Sequence, residues 1–294
     1  MKRQTLPLIL GLTSGVLSFI SLRQALRRDP LPNANSEHPL AVITGASSGI
    51  GAAFARQLAA RGYSLLLIAR RQERLEALAS ELRTRHSVQV ETLAADLAHP
   101  AQVETLAQVL STRPNLALLI NNAGFGIEGR FAEADPAVEL AMLQVHAAAT
   151  VRLTRAVLPG MLQRHNGAII NVSSVAAYIA LGGRVMYAST KAYLNAFTEA
   201  LHLELIGSGV RVQALCPGYT RTEFHAARGR PEPRLPGWLW LSADQVVRAS
   251  LRDLQRGQVI SIPTLRYRLL ATLGRLIPRP VLDLAARFLI KRQA

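Results

Sequence analysis

Short apolar runs recur along the chain at Leu40–Thr44, Ser64–Ala69, Val88–Leu93, Leu116–Ile120, Ala168–Val172, Val210–Leu215 and Gln258–Ile262. Most are separated by stretches with helical spacing of apolar residues, such as Ala52–Arg61, Gln72–Arg85 and Tyr187–Ile206. Strands that are apolar throughout, with helices between them, predict a parallel sheet covered on both faces. Crossovers of this kind are right-handed. The pattern predicts one doubly wound α/β domain over 40–262, built on a mainly parallel seven-stranded sheet. No internal repeat or low-complexity tract interrupts it.

The two ends follow other patterns. Thr5–Leu22 is mostly apolar and uncharged, with Lys2 and Arg3 before it and Arg23, Arg27 and Arg28 after it. Its length of about 18 residues is near the lower limit for a membrane span. Three readings compete for residues 1–28: a membrane anchor, a cleaved signal peptide, or an apolar helix packed on the protein. No small-x-small cleavage site follows the run, and the arginines after it favour a cytoplasmic side for the rest of the chain. Residues 29–39 read as a linker, broken by Pro, Asn and Ser. Arg221–Leu241 is rich in proline, with Trp238 and Trp240, and reads as irregular. Ser242–Gln245 has capping-box spacing and predicts a helix start. Residues 263–294 are leucine-rich and basic, broken by Pro278 and Pro280, and read as amphipathic helices. They pack on the body or lie on an anionic lipid surface.

Composition narrows the function classes. The 294 residues include one cysteine, Cys216, so no disulfide forms within the chain. The seven histidines show no paired ligand spacing and Cys216 adjoins a proline, so no metal site is expected. A net charge of +15 raises nucleic acid or an anionic membrane as partners. The basic residues are spread without a long run, which argues against nucleic acid. Only three of the 34 basic residues are lysine, Lys2, Lys191 and Lys291. A lone internal lysine in an arginine-rich chain marks Lys191 as a place where an ammonium is needed.

Two segments carry candidate chemistry. The first predicted strand runs into Thr44-Gly45-Ala46-Ser47-Ser48-Gly49-Ile50-Gly51, and a helix follows. A glycine turn between strand and helix lets the backbone and the helix N-terminus approach a pyrophosphate. Arg70 and Arg71 lie at the end of the second strand, about 20 residues on, where an acidic residue would hold both ribose hydroxyls of NAD. Arginine there suits the 2′-phosphate of NADP. Asp96-Leu97 after the third strand is placed to hold adenine, and Asn121-Asn122-Ala123-Gly124 forms a turn after the fourth.

After the fifth strand come Ser173 and Ser174, then Tyr187 and Lys191 at i and i+4 on one helix face. A free tyrosine has a pKa of about 10. A nearby ammonium favours the phenolate, so Tyr187 can exchange a proton with a substrate oxygen. Ser174 can hold that oxygen by a hydrogen bond.

These motifs, with Pro217-Gly218, occur in an order and spacing that resemble the short-chain dehydrogenase/reductase family over residues 38–262. The resemblance implies a Rossmann-type fold with NAD(P) lying across the strand ends, and hydride transfer between the cofactor and a carbonyl or alcohol; Arg70 and Arg71 favour NADP(H) over NAD(H). It implies that Tyr187 is the acid-base, that Lys191 binds the nicotinamide ribose and tunes Tyr187, and that Ser174 orients the carbonyl. Pro217, Gly218, Thr220 and Thr222 should line the nicotinamide. Homo-oligomers through the helix carrying Tyr187 are a further implication. One position departs from the family. His146 stands where asparagine is usual, on the helix before the fifth strand, and is a candidate proton relay.

Phe125, Ile127, Tyr178, Ile179, Leu181, Tyr193, Phe224, Trp238 and Trp240 are the residues expected around the substrate. They suit a lipophilic ketone or aldehyde. Arg184 and Arg221 would instead suit an acidic group. The competing reading is a non-catalytic NADP-binding sensor or membrane scaffold on the same fold. His146 speaks for it; Ser174, Tyr187 and Lys191 speak against it.

Overall fold

The computed structural model describes residues 30–32, 38–178, 182–226 and 235–276. In chain order its main elements are β1 (Leu40–Thr44), α1 (Gly49–Ala59), β2 (Ser64–Ala69), α2 (Gln72–His86), β3 (Val90–Ala94), α3 (Pro100–Ser111), β4 (Leu116–Asn121), α4 (Pro136–Leu143), α5 (Ala149–Gln163), β5 (Gly167–Val172), α6 (Val185–Glu204), β6 (Val210–Leu215), β7 (Thr220–Arg221), α7 (Glu223–Ala226), β8 (Leu241–Ser242), α8 (Ala243–Gln255), β9 (Ile260–Ser261) and α9 (Leu265–Leu276). The seven-stranded sheet runs β3-β2-β1-β4-β5-β6-β9, every pair parallel. The chain builds outward from β1 in one direction, then returns to build from β4 in the other. That reversal opens a crevice at the carboxyl ends of β1 and β4, where ligands bind in doubly wound sheets.

The apolar runs that predict the strands divide their side chains between two layers. Ala41, Ile43, Leu65 and Leu67 face the layer that holds Phe54 and Leu58 of α1, Leu75 and Leu82 of α2, and Val246 and Leu251 of α8. Leu40, Val42, Leu66 and Ile68 face the layer of Leu106 and Leu110 of α3, Leu153 and Val157 of α5, and Leu201 of α6. This is the period-two alternation of a strand buried on both sides. Each Leu, Ile, Val or Phe among these contributes about 1.5–3 kcal/mol when fully buried.

The differences from the predicted boundaries have local causes. β3 begins at Val90 because Ser87 takes a left-handed conformation (φ 53°) that ends α2, and pairing with β2 starts only at Val90. β9 is an edge strand paired only through Ile260 and Ser261. The Arg221–Leu241 stretch is not wholly irregular. It holds α7, a short turn of helix at Gly237–Leu239, and β8, which pairs in parallel with β7. The predicted capping box is present at α8, with Ser242 and Gln245 bonding each other's backbone N–H.

The ends of the described chain pack on the body. Leu31 is buried, Pro32 accepts a hydrogen bond from Tyr63 (2.8 Å), and Pro30 accepts one from Arg211 (2.6 Å). Part of the predicted linker is therefore docked. α9 is held through buried Tyr267 and Ala271, while Leu265, Leu269, Leu273 and Leu276 are exposed. The apolar segment within 1–28 and the tail beyond Leu276 lie outside the described residues. Among the described residues no helix is long and apolar enough to cross a membrane.

Candidate active site

Thr44, the last residue of β1, ties the glycine loop to the turn after β4. Its hydroxyl accepts from the N–H of Asn122 and of Ala123, both at 3.0 Å. The Asn122 amide in turn donates to Thr44 O (2.9 Å) and Gly45 O (3.2 Å). Asn122 and Ala123 thus brace the crevice wall. Gly51 must be glycine here, because a Cβ would stand 2.3 Å from Gly45 O. Ile50 packs partly buried against the core, and Gly49 opens α1 beneath Thr222.

Ser48 is the N-cap of α1, yet its side chain makes no capping bond, and no acidic residue lies in the first turn. The hydroxyls of Ser47 and Ser48 instead accept from Nη2 of Arg71, at 2.9 and 3.0 Å. An uncapped helix N-terminus, two hydroxyls and an arginine fork are a donor set that fits the phosphates of a dinucleotide. The two predicted arginines part company. Arg71 turns onto the glycine loop; Arg70 points away, largely exposed, 3.9 Å from Asp96. Asp96 also accepts from Ala98 N–H (3.0 Å), and Leu97 is buried.

At the other end of the crevice Lys191 is buried, and its Nζ donates to Val172 O (2.8 Å) at the end of β5. Ser173 Oγ donates to Lys191 O (2.9 Å), pinning α6 to β5. Nζ stands 5.7 Å from the centre of the Tyr187 ring. Burial pushes the Lys191 ammonium down to about 7. The Cys216 thiol behind it is pushed up to about 11, also by burial, and stays neutral. Ser174 Oγ accepts from Ala176 N–H (3.1 Å), which leaves its own proton to donate.

His146 sits in a five-residue π-helical segment, Gln144–Ala148, between α4 and α5. Such insertions turn a side chain out of helical register, often at functional sites. Nε2 accepts from Phe125 N–H (3.2 Å), so the proton is on Nδ1, which donates to Thr190 Oγ1 (2.9 Å). Thr190 in turn donates to Tyr187 O (3.0 Å). Burial first, then the Lys191 charge, hold the imidazole well below its usual pKa, so it is neutral. Both ring nitrogens are engaged. These bonds tether the Phe125 loop to the turn of α6 that carries Tyr187. Gly124 makes room for it: a Cβ there would lie 2.6 Å from Nε2.

The Pro217-Gly218 turn is buttressed by α9. Pro217 O accepts from Val175 N–H (3.1 Å). The Tyr267 ring fills the space beside Gly218, its hydroxyl accepting from Tyr219 N–H (3.0 Å) and donating to Leu239 O (2.7 Å). Thr220 is buried, and Thr222 lies against Gly49, bringing the turn over the glycine loop.

The aromatic residues divide. Phe224 lies 5.9 Å from the Tyr187 ring and Phe125 lies 6.1 Å from the His146 ring, and Ile127 lines a small cleft with Tyr187. Tyr193 does not. It stacks on Phe197 and lines a separate apolar groove of about 570 Å³ with Leu143, Val151 and Met186. Tyr178 reaches Cys216 (3.6 Å) and Trp240 packs on Tyr219. Trp238 is exposed beneath Arg266. Ile179 and Leu181 lie outside the described residues. Arg184 is paired with Glu128, and Arg221 lies over Trp240, which gives both another task than binding an acidic substrate. Three residues that sequence reading misses are Thr190, Arg74 and Glu223. Arg74 carries a local signal, one helical turn after Arg71; Glu223 carries none. Among the described residues no group of three or more metal-ligating side chains forms.

A nucleotide crevice at the β1–β4 switch point, and a Ser–Tyr–Lys set at the end of β5 and on α6, define a nicotinamide-dependent oxidoreductase. The chain belongs to the short chain dehydrogenase family, whose model matches residues 39–233. It is 38% identical to a short-chain dehydrogenase from Sphingobium yanoikuyae solved in complex with NADPH, with a TM-score of 0.75 over 80% of this chain and 92% of that one. It is 32% identical to the bulky-bulky ketone specific alcohol dehydrogenase from Comamonas testosteroni, with a TM-score of 0.72 over 83% of this chain and 96% of that one. A very-long-chain 3-oxoacyl-CoA reductase of Bos taurus is 30% identical over 219 residues, 73% of this chain and 68% of the relative. The protein is an oxidoreductase acting on alcohol and carbonyl groups.

Proposed function

We propose that this protein is an NADPH-preferring reductase of lipophilic ketones or aldehydes that can also run toward the alcohol. The observation that carries the cofactor preference is the Arg71 guanidinium, bonded to Ser47 and Ser48 of the glycine loop. That fork matches a 2′-phosphate, and no carboxylate of the glycine loop or of the end of β2 competes for ribose hydroxyls. The NADPH in the Sphingobium relative points the same way.

When bound, the cofactor supplies or accepts the hydride. The chain's own residues handle the oxygen. Ser174 donates a hydrogen bond to the carbonyl oxygen and sets its direction. Tyr187 gives its hydroxyl proton to that oxygen as negative charge develops, and takes it back in the reverse direction. Lys191, fixed by Val172 O, places positive charge beside the Tyr187 ring and stabilises the phenolate left behind. His146 and Thr190 hold the backbone at Tyr187.

Phe125 and Phe224 support an apolar substrate, and the names of the Bos taurus and Comamonas relatives refer to long-chain and bulky ketone substrates. A cytoplasmic-side, membrane-associated placement fits such substrates. It is supported by the arginine-flanked apolar segment within 1–28 and by α9, whose exposed leucines share a helix with three arginines and no acidic residue. Association through α6 to form a homo-oligomer is part of the same reading; the apolar groove beside Tyr193 lies on that face.

The test compares kcat/KM for NADPH and NADH on one lipophilic ketone, in the wild type and Arg71→Ala. The wild type should favour NADPH, and Arg71→Ala should lose about 10- to 100-fold with NADPH, the reach of a charged phosphate contact, and little with NADH. Equal losses with both cofactors would refute the assignment.

A further inference from the structure

The Arg71 fork has a second partner. Its Nη1 donates to Glu223 Oε2 at 3.0 Å, and Nη1 of Arg74 lies 2.7 and 2.6 Å from the two Glu223 oxygens. Glu223 is 152 residues from Arg71 in sequence. It opens α7, directly after Thr222, which rests on Gly49. A carboxylate from the nicotinamide end of the crevice therefore reaches across to the arginines at the adenosine end. The two guanidinium groups carry two positive charges against one negative. A 2′-phosphate, with a charge of about −1.5 to −2 and three acceptor oxygens, matches that pair better than one carboxylate does.

We propose that Glu223 is an internal stand-in for the 2′-phosphate, seated on Arg71 and Arg74 until NADP(H) displaces it. The proposal rests on the NADPH-preferring reading. It makes Glu223 a determinant of cofactor affinity and selectivity, acting by competition. NADP(H) must break the Glu223 contact to bind; NAD(H), lacking the phosphate, leaves it in place. Displacement also frees the start of α7. Phe224, the next residue, lies 5.9 Å from the Tyr187 ring, so the segment that leaves the arginines is the one that flanks the reacting tyrosine.

The contact is about half exposed on both sides. Ion pairs of that kind contribute modestly, so relieving the competition should tighten phosphate binding by about three- to tenfold. The test measures displacement of bound NADPH, by its fluorescence, with adenosine 2′,5′-bisphosphate and with adenosine 5′-monophosphate. Glu223→Gln should bind the bisphosphate three- to tenfold more tightly than the wild type and the monophosphate equally. Glu223→Asp keeps the charge but shortens the reach across to both arginines, and should fall between the two. An equal change for both nucleotides, no change for either, or Glu223→Asp behaving as wild type would overturn the proposal. The last outcome would leave only a long-range field. A wild type that does not distinguish the two nucleotides would instead defeat the NADPH-preferring reading, and this proposal with it.

Discussion

Lys191 is expected to destabilise the cofactor-free fold that needs it for catalysis. Replacing it by methionine keeps the length and apolar contacts of the side chain and removes the buried charge. The folded pKa, about 7 against an ordinary 10.5, lies below the unfolded value. The unfolded chain therefore binds the extra proton between about 7 and 10.5, and wild-type stability rises with pH through that window. At roughly 1.4 kcal/mol per unit, the depression corresponds to about 4–5 kcal/mol at pH 7. Relaxation around the charge lowers the measurable part, and the methionine forfeits about 1 kcal/mol for the bond to Val172 O. A net gain of about 2–3 kcal/mol remains, and at about 2–4 °C per kcal/mol it raises Tm by about 5–10 °C. Near pH 9.5 the charge component should shrink to about a third of its neutral value. The assay is thermal unfolding of cofactor-free wild type and Lys191→Met at both pH values, beside kcat/KM. A methionine variant that is no more stable at pH 7, or an advantage that does not fall with pH, would refute the argument.

Two further outcomes follow from the same geometry. His146→Ala strands Phe125 N–H and Thr190 and should cost about 2–4 kcal/mol in urea unfolding; because the folded imidazole is held neutral, the wild type should also lose stability relative to His146→Asn as pH falls below about 6.5, and a pH-independent difference would contradict this. The full chain should sediment with anionic phosphatidylserine vesicles but not neutral phosphatidylcholine ones, and Leu269→Glu/Leu273→Glu should weaken that binding with turnover of a water-soluble carbonyl unchanged; unchanged sedimentation would remove α9 from the membrane account.

Much of this was legible in the sequence because the signals are local. β1, β2 and β6 lie where their apolar runs place them, and nearly every position in them is buried. Tyr187 and Lys191 are one helical turn apart, and the scarcity of lysine singles out the second. The choice between Arg70 and Arg71 was not legible. Adjacent residues leaving a strand point opposite ways, and only the placement of the glycine loop decides which meets Ser47. Glu223 on Arg71 and Tyr267 beside Gly218 depend on contacts 152 and 48–49 residues apart. His146 was visible as a departure, but its role depends on what its two nitrogens face, and that is set by the π-helical turn and by Gly124.

The most direct test of the central claim is NADPH oxidation by purified protein over a panel of lipophilic ketones and aldehydes, wild type against Tyr187→Phe. Turnover is expected on at least one member and should fall about 100-fold or more in Tyr187→Phe, the scale of a missing general acid, while NADPH still binds. NADPH binding without turnover on any of them, or turnover that Tyr187→Phe leaves intact, would contradict that claim.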